Sequence, residues 1–331
     1  MSTRIAILGD GAWGTAIAVL LAGAGHQVSL WSARRENAEI LRRQRQNTRY
    51  LPGVAIPSSV TLTMSIAEAC TGTELWVAAV PTVYLRSTLT TFRDALTQKV
   101  PILSLAKGIE IDTFLRPTEI ITSIIGDRPV AVLSGPSHAE EVSRGMPASV
   151  VAASAEYELA RRVQQLFTTE RFRVYTNMDM VGVELSGALK NIVGIAAGIG
   201  DGLGLGDNAK SALITRGLAE IARLGVALGA ERETFFGLAG VGDLITTCIS
   251  RHGRNRLVGE LLGKGQKLSQ ILAGMEKVAE GVYTARSVHD RSSKMGIDMP
   301  ITREVYRVCF EDVPAQEAVS TLMTRDPRSE H

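Results

Sequence analysis

Apolar residues in the first half of the chain fall in short runs that alternate with helical periodicities. Arg4–Leu8 is an apolar run of strand length, 12–24 carries its apolar positions at helical spacing, and Gly25 punctuates before a second strand, Gln27–Trp31. Strand, helix, strand in that order reads as a parallel βαβ unit. The alternation continues, with strands predicted at 61–64, 75–80, 102–106, 130–133, Ala148–Ala153 and 173–176, and helices near 35–46, 82–96 and 118–125. Such repetition argues for a doubly wound parallel sheet with helices on its faces. Beyond Asn177 the pattern changes. Helical periods recur at 179–198, 209–228, 254–262, 268–275, 284–295 and 302–310, and no strand is predicted. The chain therefore divides into an α/β domain, 1–177, an all-α domain, 178–323, and a polar tail, 324–331.

Composition narrows the function classes. A chain of 331 residues, 45% hydrophobic and 21% charged, is long enough for two domains with their own cores and has the balance of a soluble globular protein. A net charge of +2 gives no reason to expect nucleic acid or a membrane surface as partner. Cys70, Cys248 and Cys309 make no CxxC pair and no metal-ligand spacing, so reduced thiols, no metal and a cytoplasmic location are expected. The apolar run 5–8 is too short for a secretory signal and ends at Gly9. The stretch 181–200 reaches membrane-spanning length, but Glu184 and Lys190 lie inside it, so no membrane span is expected.

The clearest motif is Gly9-Asp10-Gly11-Ala12-Trp13-Gly14, which matches GxGxxG between the first strand and the first helix. In that context Gly9 permits the tight turn, Gly11 lets a pyrophosphate approach the backbone, and Gly14 lets helix and strand pack closely. The helix N-terminus offers unpaired N–H groups to the anion. A Rossmann-like dinucleotide site follows. Sites for NAD commonly carry an acid at the end of the second strand, to hold the ribose hydroxyls. Here Leu30-Trp31-Ser32-Ala33-Arg34-Arg35 offers none before Glu36, while Arg34 can pair with a 2′-phosphate. That favours NADP(H), with NAD(H) as the alternative; the other reading of Arg34 and Arg35 is a solvated helix face.

Further segments extend the match. GDGAWGTA, SLAKGIE, LSGPSHAEEV, ELSGALKNIVGIAAGIGDGLGLGDNAKSALITRG, GLAGVGDLITTC, GRNR and AEGV, in this order, together resemble the NAD(P)-dependent glycerol-3-phosphate dehydrogenase family from about Ile5 to about Phe310. The resemblance implies a Rossmann domain followed by an all-helical substrate domain, in a homodimer. It also implies hydride transfer between NAD(P)H and dihydroxyacetone phosphate, a small phosphorylated substrate, on a route to glycerophospholipids. Carried over by motif, Lys190 matches the catalytic lysine that accepts the proton in alcohol oxidation, with Asn191 beside it at the substrate. Lys107 matches a lysine shared by substrate and cofactor. Gly135 and Ser137 match substrate positions, as do Asp243, Arg254 and Asn255. Ala12, Trp13, Ala139, Val278 and Glu280 match cofactor contacts, and Arg254 is assigned to the cofactor as well as to the substrate. Two positions depart from the family pattern: Asp10 within the glycine loop, where the family often has Ala, and Gly253 before Arg254, where it often has Ser.

These residue types suit the chemistry. Oxidising a secondary alcohol removes its hydroxyl proton as hydride leaves, so a positioned acid/base serves both directions. A lysine does this when burial or a second cation lowers its pKa, and Lys107 can be that cation. Gly187, Lys190, Gly194 and Gly198 share one helix face, which leaves room for a cofactor or for a close neighbouring helix. The plainer alternative is a packing helix whose lysine snorkels to water. Arg254 and Asn255 open a predicted helix, where guanidinium and helix dipole can act on one phosphate. Asp243 is expected to orient Lys190 or a substrate hydroxyl, although an N-cap role alone would account for it. His138 is expected to be structural. Competing readings are a two-domain reductase of ketopantoate or 6-phosphogluconate type, and a dinucleotide sensor without turnover.

Overall fold

The computed structural model describes residues 2–275, 278–327 and 329–330. In the α/β half, β1 (Arg4–Leu8), α1 (Ala12–Gly23), β2 (Gln27–Trp31) and α2 (Arg35–Gln44) open the chain. A small hairpin, β3 (Gln46–Asn47) and β4 (Leu51–Ala55), leads to β5 (Thr61–Thr63) and α3 (Ile66–Cys70). Then come β6 (Leu75–Ala78), α4 (Thr82–Thr91), β7 (Ile102–Ser104), α5 (Pro117–Ile125), β8 (Val130–Ser134), α6 (Ala139–Val142), β9 (Ala148–Ala153), α7 (Tyr157–Phe167) and β10 (Phe172–Asn177). Eight strands form one sheet in the order β10-β9-β8-β7-β6-β1-β2-β5. Strands β6 and β7 are buried throughout, as expected where both sheet faces are covered. Alternate residues of β1 serve opposite faces: Ile5 and Ile7 join one core with Leu30 and Leu103, Ala6 and Leu8 another with Trp31 and Trp76.

The sheet differs from the expected all-parallel form at one pair. Strand β9 runs antiparallel to β8, and β10 runs parallel to β9. The connection between β8 and β9 holds only the one-turn α6, which packs beside α1 instead of crossing a sheet face, so the chain re-enters reversed. Helix α2 stops short of the predicted 46, because Arg45 takes a left-handed φ of 48° and the chain turns into the hairpin. Helix α4 gives way before 96 to a short 3-10 turn, Arg93–Ala95.

After β10 the described residues form helices and no strand. They are α8 (Met180–Leu203), α9 (Gly206–Ala227), α10 (Asp243–Ile249), α11 (Arg254–Gly263), α12 (Leu268–Ala273), α13 (Glu280–Met295), α14 (Pro300–Phe310) and α15 (Ala315–Met323). Helix α8 is long and apolar enough to cross a membrane by length and composition, but 83% of its apolar window is buried inside the protein. It is the central helix of the second core. Its glycine face accepts a close neighbour. A Cβ on Gly198 would strike the Arg256 carbonyl, and one on Gly259 of α11 would strike the Ile195 carbonyl.

Two glutamates join the halves. Glu184 of α8 accepts from Thr118 N at 2.9 Å, Thr118 Oγ1 at 2.7 Å and Arg116 Nη1 at 2.8 Å, at the start of α5. Glu280 of α13 accepts from Thr82 N at 2.6 Å, at the start of α4. Each carboxylate thus meets the partially positive N-terminus of a helix from the other half.

Candidate active site

The loops after β7 and β8 meet α8 and α10 at the carboxyl end of the sheet, where open α/β sheets hold ligands. Lys190, on α8, is buried, and its Nζ donates to Asp243 Oδ1 at 2.7 Å and Thr247 Oγ1 at 2.6 Å. Lys107, just past β7, donates to the other oxygen of the same carboxylate, Asp243 Oδ2, at 2.8 Å, and to the Gly135 carbonyl at 2.9 Å. One buried carboxylate therefore holds two ammonium groups. Burial pushes the Asp243 carboxyl up, but the two lysines outweigh it and keep the group below the ordinary carboxylate range. Burial lowers the Lys190 pKa to about 8, with Lys107 adding to the fall and Asp243 opposing it.

The chain builds this cluster from simple parts. Gly135 takes φ +139°, and a Cβ there would lie 2.9 Å from Val150 Cα, so glycine alone lets the loop hug β9 and turn its carbonyl to Lys107. Ser137 Oγ bonds that same carbonyl at 2.9 Å. Gly187 of α8 lies against Ser134 Oγ, which a Cβ would approach to 2.7 Å, so α8 sits close to the end of β8. Asn191 follows Lys190 and fixes the loop by donating to the Lys107 carbonyl at 2.9 Å. Asp243 opens α10, yet its side chain serves the lysines.

A second group adjoins the first. Asn255 Oδ1 accepts from Gly281 N at 3.0 Å, and Arg254 Nη1 donates to the Val278 carbonyl at 2.8 Å, which ties the start of α11 to the start of α13. A Cβ on Gly281 would lie 2.7 Å from Asn255 Oδ1 and 2.8 Å from the Asn191 carbonyl, so the two groups are contiguous. Glu280 stands here with its carboxylate on Thr82 N. Arg254 is exposed and keeps donors for an anion.

The glycine loop forms the third group. Gly9 has φ +125°, and a Cβ would meet the Ala79 backbone at 2.9 Å. Gly14 presses on the Gly9 carbonyl. Gly11, by contrast, has nothing within 4 Å of where its Cβ would stand, and no side chain caps α1. Open backbone and uncapped N–H groups fit a dinucleotide pyrophosphate. Ala12 and Trp13 pack against the small core that includes the buried Ala139, and α6 lies beside α1. Arg34 is exposed at the N-cap of α2, at the outer end of the group.

Thr247 escaped the sequence, and the structure adds the surroundings of His138 and Asp10. Thr247, which holds Lys190, stands four positions after Asp243 on one helix face, a spacing that could have pointed to it. His138 caps α6 with its Nε2 buried and unpartnered among the described residues, and its ring lies 5.8 Å from that of His252. Burial and then Lys190 push its pKa down, so it stays neutral at pH 7. Asp10 turns to the β2–α2 connection, where its Oδ2 accepts from Ser32 Oγ and, at 2.5 Å, from Asn37 Nδ2. Among the described residues, no group of three or more His, Cys, Asp or Glu is placed to hold a metal ion.

The comparisons agree across the whole chain. Residues 4–160 match the model of the NAD-dependent glycerol-3-phosphate dehydrogenase N-terminus, and residues 179–320 that of the C-terminus. The chain is 52% identical over 330 residues to the glycerol-3-phosphate dehydrogenase [NAD(P)+] of Chlorobium phaeobacteroides, covering 99% of each chain. It is 49% identical over 333 residues to the enzyme of that name from Geobacter metallireducens, covering 100% of this chain and 99% of the other. Its structure resembles the glycerol-3-phosphate dehydrogenase of Coxiella burnetii, with a TM-score of 0.94 at 38% identity, covering 98% of this chain and 99% of that one. The Saccharomyces cerevisiae enzyme is also similar, with a TM-score of 0.84 at 26% identity, covering 97% and 99%. Motif order, fold and relatives converge: the chain belongs to the NAD-dependent glycerol-3-phosphate dehydrogenase family.

Proposed function

We propose that the protein transfers hydride reversibly between NAD(P)H and dihydroxyacetone phosphate, giving sn-glycerol 3-phosphate for glycerophospholipid synthesis. The observation that carries this reading is the buried Lys190, held between Asp243 and Thr247 with Lys107 on the far side of the same carboxylate. The nicotinamide cofactor, when bound, gives or takes the hydride; the proton falls to the chain. In reduction, Lys190 Nζ donates a proton to the oxygen that becomes the hydroxyl. In oxidation, the neutral amine takes it back. Lys107 supplies positive charge beside that oxygen and lowers the cost of deprotonating Lys190. Asp243 and Thr247 orient the ammonium, and Asn191 holds the Lys107 loop.

Arg254, at the start of α11, and Asn255 supply donors for the substrate phosphate, with Gly135 and Ser137 on the facing loop. Gly9, Gly11, Ala12, Trp13 and Gly14 receive the dinucleotide, flanked by Ala139, with Val278, Glu280, Lys107 and Arg254 completing its far end. Exposed Arg34 offers a partner to a 2′-phosphate and favours NADP(H), with NAD(H) also accepted. We assign 1–177 to cofactor binding, 178–323 to the substrate, and 324–331 to a tail. A homodimer and a cytoplasmic location complete the reading. Its cysteines are free and buried, with burial pushing each thiol up to about 12, so they are inert in a reducing compartment.

The test follows the ultraviolet absorbance of reduced nicotinamide with purified protein, dihydroxyacetone phosphate, and NADPH or NADH in turn. Ketone-dependent loss of absorbance supports the reading. Binding of both cofactors without loss would point to another substrate first, of the ketopantoate or 6-phosphogluconate kind, and to a non-catalytic sensor second.

A further inference from the structure

Strand β2 ends without an acid of its own, yet a carboxylate stands at its end. It comes from the glycine loop. Asp10 Oδ2 accepts from the hydroxyl of buried Ser32, the residue that follows β2, and from the amide of buried Asn37 in the first turn of α2 at 2.5 Å. The loop that carries it is pinned from a third direction. Buried Asn47 of β3 donates to the Asp10 carbonyl at 2.7 Å and to Thr15 Oγ1 at 2.8 Å. The carboxylate is thus fixed in place, and the nearby N-terminus of α2 favours its charge. Both side-chain bonds fall on Oδ2. Oδ1 accepts none from the described residues, and Asp10 keeps a partly exposed face.

In a Rossmann-type site, a carboxylate at the end of β2 accepts the ribose hydroxyls of NAD(H) and repels the 2′-phosphate of NADP(H). What matters physically is where the charge stands, not which strand supplies it. We propose that Asp10 is a specificity-determining residue for the cofactor, supplying from the glycine loop the acid that β2 lacks and opposing Arg34 in the choice between NAD(H) and NADP(H). Arg34 stands two residues beyond Ser32, so a cation and an anion flank one connection. The cation recruits a 2′-phosphate; the anion favours a free 2′-hydroxyl. Discrimination is therefore narrower than Arg34 alone would give. The inference rests on the reading that a dinucleotide binds in the glycine loop.

The test measures Kd for NADH and for NADPH by titration calorimetry on the full chain, and kcat/KM for each with dihydroxyacetone phosphate. Asp10→Asn keeps the size of the side chain and an oxygen for Ser32 while removing the charge. Its NADPH-over-NADH binding ratio is expected to rise about tenfold, since a like charge several ångströms away costs on that scale. Asp10→Ala moves the ratio the same way, and Arg34→Ala moves it the opposite way. A merely structural Asp10 would weaken both cofactors by the same factor and leave the ratio within about twofold of the unmodified protein, and that result overturns the inference. Failure of the unmodified protein to bind either dinucleotide would overturn the cofactor reading along with it.

Discussion

At the scale of single residues, the proton chemistry we propose rests on Lys190 and Lys107 leaning on Asp243. With both amines protonated the trio carries one net positive charge in a buried place, so the proton on Lys190 is held loosely, with a pKa of about 8. The sign of the pH dependence follows. Ketone reduction needs the protonated amine, so its kcat should hold below that pH and fall as pH rises through it. Alcohol oxidation needs the neutral amine and should rise over the same interval. Initial rates in both directions from pH 6 to 10 check this, and parallel profiles would remove Lys190 as the acid/base. Asp243→Asn leaves two cations without their anion, so the midpoint should drop by about one unit or more. An unshifted midpoint would make Asp243 dispensable to the proton. Lys190→Ala should keep cofactor affinity and lower kcat by about a hundredfold or more. For Arg254→Ala the expected change is in KM for the phosphorylated substrate, about tenfold upward, because a charge-assisted bond is lost; an unchanged KM would place the phosphate elsewhere.

Between elements, the decisive contact is that of α8 with α11. Gly198 and Gly259 let the two backbones touch, and a methyl on either would run into a carbonyl of the other helix. Gly198→Ala and Gly259→Ala should each cost about 1–3 kcal/mol through overpacking, read as a lower midpoint in denaturant. A change below a few tenths would mean that the helices part easily. The same contact shows where sequence reading stops. Spacing placed Gly187, Lys190, Gly194 and Gly198 on one face but left open whether cofactor or helix lay against them; the answer depends on α11, which is 50 or more residues away in the chain. The glycine loop was legible because its three glycines fall at a fixed spacing between a strand and a helix. The reversal of β9 was not, since it follows from α6 packing beside α1 and has no signature in β9 itself. Helix α7 is amphipathic, with Leu159, Ala160, Val163 and Phe167 buried at helical spacing, so its absence from the predicted elements is a missed local signal. Asp10 was legible as a departure from the family loop, but its partners Ser32, Asn37 and Asn47 meet it only in three dimensions.

For the whole molecule, the proposed catalytic trio spans both halves of the chain: Lys107 belongs to the sheet half, Lys190 and Asp243 to the helical half. Their spacing therefore depends on how firmly the halves are joined, and Glu184 is a principal fastening. Its carboxylate is buried, bonded to Arg116 and twice to Thr118 at the head of α5. Burial pushes its pKa up against the pull of Arg116, so the pair stands on geometry more than on charge strength. Replacing such a pair by apolar groups can be nearly neutral, but removing one member strands the other. Glu184→Ala leaves Arg116 paired, among the described residues, with the half-buried Glu119, and leaves Thr118 N without its acceptor. A loss of about 3–5 kcal/mol in stability is expected, measured by denaturant unfolding. A second readout separates fastening from local packing. If the join sets the reach from Lys107 to Asp243, the same variant, assayed well below its unfolding midpoint, should lose kcat by a larger factor than it loses affinity for NADH, because the glycine loop lies wholly in the sheet half and only the cofactor's far end, at Arg254, Val278 and Glu280, reaches the helical half. A stability loss with kcat intact would mean that the other contacts across the boundary, Glu280 with Thr82 and Ser287 with the Glu110 carbonyl, hold the halves in register without Glu184.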